Sequence, residues 1–162
     1  MAEQYKHLTP KDFDKFDCVK LSKWYFIALL FLLRGYLIWV LSVSNMQDTA
    51  SVITVIYPQP AIFYVHLVAG FPAIFLLILM SLRRPDAANW VQQLWPRSRQ
   101  ILIGLLLFDL VFSLIGYWYI DEFNWLVTLS QILFTSLLIV QVKSSERIAI
   151  NLSEFPEPVP EK

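Results

Sequence analysis

Two ionisable side chains of opposite sign interrupt long apolar runs: Arg34, near the middle of WYFIALLFLLRGYLIWVLSV over residues 24–43, and Asp109, inside the run 101–120. A helix advances about 1.5 Å per residue, so twenty residues cover the roughly 30 Å hydrocarbon core of a bilayer. If both runs enter from one side, Arg34 is about 15 Å deep and Asp109 about 12 Å deep. Either charge alone costs roughly 2.5–3.5 kcal/mol at the centre of a span, and pairing offsets much of that. An Arg34–Asp109 contact is therefore expected, with Ser113, one turn from Asp109, sharing its hydrogen bonding. Such a pair suits an ion or proton path, or an anionic ligand held by Arg34. It also suits a lock that fixes helix register, and this reading is favoured because nothing else in the chain resembles a relay. A charge turned toward a partner protein is the third alternative.

Other reactive side chains are few. His66 lies five residues into its run and Gln131 about six into its own, both from the opposite side, so their depths permit a hydrogen bond; a packing role for His66 is favoured over a titrating one. The other histidine, His7, precedes the first run, so one chain cannot supply two intramembrane imidazoles to a haem, and no cluster has zinc-ligand spacing. The single cysteine, Cys18, can form neither an internal disulfide nor a CxxC pair, which argues against a quinone-linked disulfide oxidase. It is expected to be an inert thiol at the membrane edge. No P-loop, GxSxG or HExxH occurs. No catalytic residue, metal or cofactor is expected, and the chain does not read as an enzyme.

The elements that must position these groups are apolar helices. Hydrophobic residues make up 57% of the 162 and charged residues only 16%, against about 25% in soluble domains; mean hydropathy is +0.54. The apolar residues come in blocks, which predicts an all-α polytopic membrane protein, a four-transmembrane-helix bundle with spans near 24–43, 62–82, 101–120 and 125–142. Each span carries a small or polar face: Ala28/Gly35/Ser42, His66/Gly70/Ala73, Asp109/Ser113/Gly116 and Thr128/Gln131/Thr135. Small residues let helices approach closely in lipid. Pro72 removes a backbone hydrogen bond in the second span and predicts a kink there.

Outside the spans, residues 1–23 form a polar N-terminal segment. Thr9-Pro10-Lys11-Asp12 reads as a helix start, after which Phe13 and Phe16 would share a face on the membrane surface; a solvated leader is equally compatible. The run preceded by these residues exceeds the roughly 7–15 residues of a signal-peptide core and lacks a cleavage site, so it reads as an uncleaved anchor. The loop 44–61 contains an apolar, β-branched run at 52–57, either strand or helix, stopped by Pro58 and Pro60. Between the second and third spans, Trp90, Val91, Leu94 and Trp95 share one side of a short helix ended by Pro96, as suits a headgroup layer. Residues 121–124 read as an acidic turn, and 143–162 as a charged, disordered tail.

Thirteen Lys and Arg are distributed as five before the first span, four in the middle loop, three in the tail, and Arg34. The positive-inside rule puts both termini and the middle loop in the cytoplasm, and so strong a bias argues against dual-topology insertion. Arg83, Arg84, Arg97 and Arg99 are candidate lipid-headgroup contacts. The sequon at Asn151 falls on the cytoplasmic side and is disregarded. Formal net charge is zero, so no nucleic-acid partner is suggested.

Several stretches resemble, in order, a family of small bacterial inner-membrane proteins, the YfeZ-like proteins. They are Phe16-Asp17-Cys18-Val19-Lys20-Leu21-Ser22, then Phe31-Leu32-Leu33-Arg34 with the run to Ser42-Val43-Ser44. Ile56-Tyr57-Pro58 and Gly70-Phe71-Pro72-Ala73 follow, then Arg83-Arg84-Pro85 with the Trp90 and Trp95 loop. The resemblance covers residues 13–120, and Ser22-Lys23 stands where that family more often has two prolines. It implies a four-span protein of the bacterial inner (cytoplasmic) membrane and brings no activity, cofactor or catalytic residue.

Three functions fit these features. The favoured one is a non-enzymatic structural or accessory subunit of a membrane assembly, for which the bilayer is the obligatory partner and self-association or a larger complex is permitted. The alternative is a small oligomeric transporter or channel subunit using Arg34 and Asp109. A membrane enzyme is the weakest, because the arginine loop lacks a nucleophile or general base.

Overall fold

The computed structural model describes residues 9–14, 16, 18–44, 53, 57, 60–119 and 125–156. His7, the acidic turn at 121–124, most of the 52–57 run, and Pro158 and Pro160 lie outside the described residues. Within them the chain is all-α, with one isolated β-bridge. The helices are α1 (Lys23–Leu32), α2 (Arg34–Ser44), α3 (Pro60–Ser81), α4 (Asn89–Leu94), α5 (Ser98–Tyr119), α6 (Trp125–Ser144) and α7 (Glu146–Ser153), with 3-10 turns at Pro10–Asp12 and Trp95–Arg97.

Two helical stretches are long and apolar enough to cross a membrane: Ile62–Ser81, with mean hydropathy 2.4, and Asn89–Ile115, with 1.8. A third candidate is α1 with α2 counted as one bent span; Thr128–Ser144 of α6 is a shorter apolar helix. Apolar side chains cover the outside, Leu30, Val68, Phe71 and Leu133 each being more than half exposed. Ser42, Asp109, Ser113, Thr128 and Thr135 are turned inward and buried. This inverted polarity is what a lipid solvent selects, because hydrocarbon offers no hydrogen bonds.

The first apolar run is not one straight helix. It breaks at Leu33, whose backbone (φ −85°, ψ 4°) lies in the sparsely allowed bridge region, and α2 leaves α1 at 62°. The kink expected at Pro72 is not where the chain bends so sharply: α3 continues as helix through Pro72. Two glycines explain the placement of the break. A Cβ on Gly70 would stand 3.0 Å from the Leu32 carbonyl oxygen and 3.0 Å from Tyr36 Cε2, and one on Gly35 would stand 3.3 Å from His66 Cβ. Thus α3 presses directly on the break, and α2 then rests on α3, while α1 packs on α3, α5 and α6. Gly70→Ala forces a methyl against a backbone carbonyl that cannot easily yield. We expect a loss of about 1–3 kcal/mol, the usual cost of overpacking, read as a lower midpoint in thermal unfolding of the detergent-solubilised protein.

One core runs through the bundle and out of its end. Tyr25, Leu29 and Leu32 meet Ala73, Leu76 and Leu79, then Leu102, Leu106, Leu138 and Val142; beyond them Val91, Trp95, Ile148 and Leu152 continue the same cluster. The last four belong to a cap over the end where α1 begins and α6 finishes. The cap corrects three expectations. The helix start at Thr9 yields a single 3-10 turn, after which Phe13 pairs with Val19 in a hairpin held by Asp14 N–H to Cys18 O (2.8 Å) and Lys20 N–H to Asp12 O (2.8 Å). Phe13 and Phe16 therefore do not share a helical face. Residues 146–153 of the expected disordered tail are a helix, with Ile148, Asn151 and Leu152 buried and Ser145 accepting from the Ile148 N–H. Trp95 is 1% exposed under the cap instead of facing headgroups, whereas Trp90 is exposed and stacked on Phe75.

Candidate functional site

The expected pair is in contact. Arg34 opens α2 immediately after the break, and its Nη2 donates to Asp109 Oδ1 of α5 at 2.7 Å. Its Nη1 donates to the Phe31 carbonyl at 3.0 Å, and its guanidinium carbon lies 4.2 Å from the centroid of the Phe31 ring. Broken helical geometry strands carbonyls, and Arg34 supplies a donor to one of them. Phe31 in turn meets Phe134 of α6 edge-on at 5.2 Å. α1 and α5 therefore meet on the Arg34 guanidinium, and α6 backs the Phe31 ring beneath it.

Asp109 is 4% exposed. Its Oδ1 takes the arginine, while Oδ2 is buried and makes no hydrogen bond among the described residues. His66 of α3 stands beside it, Nε2 lying 3.9 Å from Oδ1. His66 Nδ1 is 2.8 Å from the Ile62 carbonyl. A carbonyl only accepts, so Nδ1 is the donor, and in the neutral ring Nε2 is an acceptor facing another acceptor. That accounts for a separation longer than a hydrogen bond. Tyr57 closes the group, its ring 5.2 Å from the imidazole.

The His66–Gln131 bond that their depths permit is not found among the described residues. Gln131 Nε2 donates instead to Ser113 Oγ at 2.7 Å, and Ser113 donates to the Asp109 backbone carbonyl at 2.8 Å. Depth alone matched Gln131 to His66; the neighbouring of α5 and α6 matched it to Ser113. Thr135 donates to the Gln131 carbonyl at 2.8 Å. Polar groups from α2, α3, α5 and α6 thus gather in one layer. Chemically, the layer can hold a fixed cation beside a carboxylate that has one unused oxygen and a histidine within reach. Among the described residues no group of three or more His, Cys, Asp or Glu is arranged to hold a metal.

The four candidate headgroup arginines separate. Arg84 and Arg97 are exposed. Arg99 is engaged with the Lys143 carbonyl. Arg83 turns inward, donating to the Asn151 and Glu154 carbonyls (3.3 and 3.1 Å), with its guanidinium carbon 4.9 Å from the centroid of the Trp95 ring. Burial pushes its pKa down, opposed by Cys18, Asp14 and Glu154, but a guanidinium stays charged. Cys18, buried, is one of its neighbours.

Of the residues that assemble this end of the molecule, Asn151 enters the sequence reading only as a disregarded sequon, and Glu154 not at all. Asn151 is fully buried; its amide donates to the Val19 carbonyl and its own carbonyl accepts from Trp95 Nε1 at 3.3 Å. Glu154 Oε2 accepts from the Val19 N–H at 2.8 Å. A signal existed: Ser145 followed by Glu146, then Ile148, Asn151 and Leu152 at helical spacing, is an N-cap with one buried face.

Asp12 joins the first and last segments, its Oδ1 accepting from Arg147 at 2.6 Å and its Oδ2 from the Thr9 N–H at 2.9 Å. Its pKa is lowered, first by the Thr9 backbone bond, then by the Thr9 hydroxyl and by Arg147. A carboxylate depressed by folding stabilises the fold above its unfolded pKa and loses that contribution as pH falls through the folded value. The Asp12–Arg147 contact should therefore be intact at neutral pH and open in acid. A carboxyl-carbon NMR titration should place Asp12 below the ordinary aspartate value of about 3.9; a midpoint at or above it means these contacts do not form in solution.

The family model described as Protein of unknown function (DUF2919) matches residues 8–154. No curated protein and no solved structure matches the chain.

Proposed function

We propose, for a chain that belongs to the DUF2919 family, a non-enzymatic structural or accessory role in the bacterial inner membrane. In this reading α1 with α2, α3, α5 and α6 are four spans of one bundle, and both termini and the middle loop are cytoplasmic. One observation carries it. The Arg34 guanidinium is consumed within the chain, by the Asp109 carboxylate, the Phe31 carbonyl and the Phe31 ring. A group so committed fixes a bent helix against its neighbours. The sidedness is supported by the cap, in which the lysine-bearing first segment, the arginine loop and the last helix meet at one end.

A small transporter or channel subunit is the second reading, favoured by the unused Asp109 Oδ2 with His66 beside it at a broken helix. The deciding experiment reconstitutes the purified chain in liposomes under imposed proton and sodium gradients, alongside mild-detergent co-purification from native membranes. The accessory reading expects no flux above empty liposomes and a stoichiometric partner or self-association. Flux that Asp109→Asn abolishes while protein levels hold would overturn it in favour of the second reading.

A further inference from the structure

A cleft of about 390 Å³ opens where the first hairpin meets α1 and α3, at the cap end of the bundle, and Arg34 and Asp109 do not line it. Its walls differ in chemistry. Phe26, in the first turn of α1, and Met80, in the last turn of α3, form the wall on the side of the apolar helices, with Leu21 beside them. Lys20 and Arg83 line the cap side, against a single carboxylate among the described residues, Asp14. Phe26 is 45% exposed, which leaves an aromatic face uncovered at the cleft mouth.

Both cations are already placed. Arg83 is held by the Asn151 and Glu154 carbonyls and lies over Trp95. Lys20 Nζ is tethered to the Lys11 carbonyl at 2.8 Å and remains exposed. A ligand that meets them does not bear the full entropy cost of ordering two long side chains.

We infer that this cleft is a binding site for one anionic phospholipid, with its phosphate at Lys20 and Arg83 and an acyl chain along Phe26 and Met80. Charge decides against a zwitterionic lipid, whose cationic headgroup gains nothing from a wall carrying two cations and one carboxylate. Position decides against a soluble phosphate ester, which has no use for an apolar wall opening beside the first and last turns of two apolar helices. The inference holds for an accessory subunit and for a transporter alike, since it requires only that these helices lie in a bilayer.

The test is native mass spectrometry of the full-length protein released from nanodiscs of mixed dioleoyl-phosphatidylglycerol and dioleoyl-phosphatidylcholine. One phosphatidylglycerol per chain should be retained in preference to phosphatidylcholine. Lys20→Gln, a change at an exposed side chain, should weaken retention about fivefold, the worth of one basic group at a membrane surface. Phe26→Ala should weaken it independently, without altering the helical circular dichroism. Arg84→Gln and Arg97→Gln, at exposed arginines outside the cleft whose attraction to headgroups is only diffuse, should weaken it far less than Lys20→Gln does. Equal loss from all four substitutions would mean diffuse attraction to the surface and would overturn the site. Displacement of the lipid by millimolar inorganic phosphate would overturn the lipid assignment in favour of a free anion.

Discussion

Asp109→Leu is expected to lower stability by about 3–5 kcal/mol, the range for breaking a buried ion pair by removing one partner. The change leaves the Arg34 guanidinium inside the bundle without its carboxylate, and a guanidinium cannot shed its charge. Arg34→Met should cost less, because a stranded carboxyl can neutralise itself by taking a proton. Two double variants separate the roles. Arg34→Met with Asp109→Leu removes both charges and should recover most of the lost stability, since apolar replacement of a buried pair is often neutral. The exchange Arg34→Asp with Asp109→Arg should recover only part of it. It restores the pair but not the hydrogen bond to the Phe31 carbonyl or the stacking on the Phe31 ring. The measurement is membrane abundance together with unfolding midpoint in detergent. A fully recovered exchange would show that the break at Leu33 needs no donor from residue 34.

Trp95→Ala should be nearly as severe, at about 3–5 kcal/mol, the usual cost of truncating a buried tryptophan. Trp95 is 1% exposed and is the largest side chain in the core shared by the helices and the cap. Its Nε1 holds the Asn151 carbonyl and its ring carries Arg83, which holds the Asn151 and Glu154 carbonyls. Losing the ring therefore leaves a cavity and loosens α7 in the same step. The distinguishing readout is limited proteolysis: residues 146–156 should become cleavable in Trp95→Ala and stay protected in Trp90→Ala, whose ring is 43% exposed. Equal protection in both variants would mean that the contacts of Asn151 and Glu154 with Val19, the Arg147–Asp12 pair and the packing of Ile148 and Leu152 hold α7 without Trp95.

Much of the bundle was legible because lipid imposes a simple rule. Apolar runs of about twenty residues announce helices, and the small or polar residues recurring along them announce the inward face. Ala28, Gly35 and Ser42 are all buried, as that rule requires. The Arg34–Asp109 contact followed from depth and charge, both of which can be counted along a chain. Gln131 shows the limit of counting. Depth specifies a layer but not which neighbour within it, and Gln131 turned to Ser113.

The sequence by itself determined the helical class, the apolar exterior and the layer in which opposite charges meet. These depend on each residue's own transfer energy and on helical rise, which are local quantities. Only the tertiary structure decided the break at Leu33, the company of His66 and Asp109, and the closing of one end by α7. The break depends on Gly70 letting α3 reach the Leu32 carbonyl, and the cap on Asn151 and Glu154 meeting Val19, more than 130 residues away. Such contacts are made between surfaces that exist only after the helices have packed, so no window of the chain contains them.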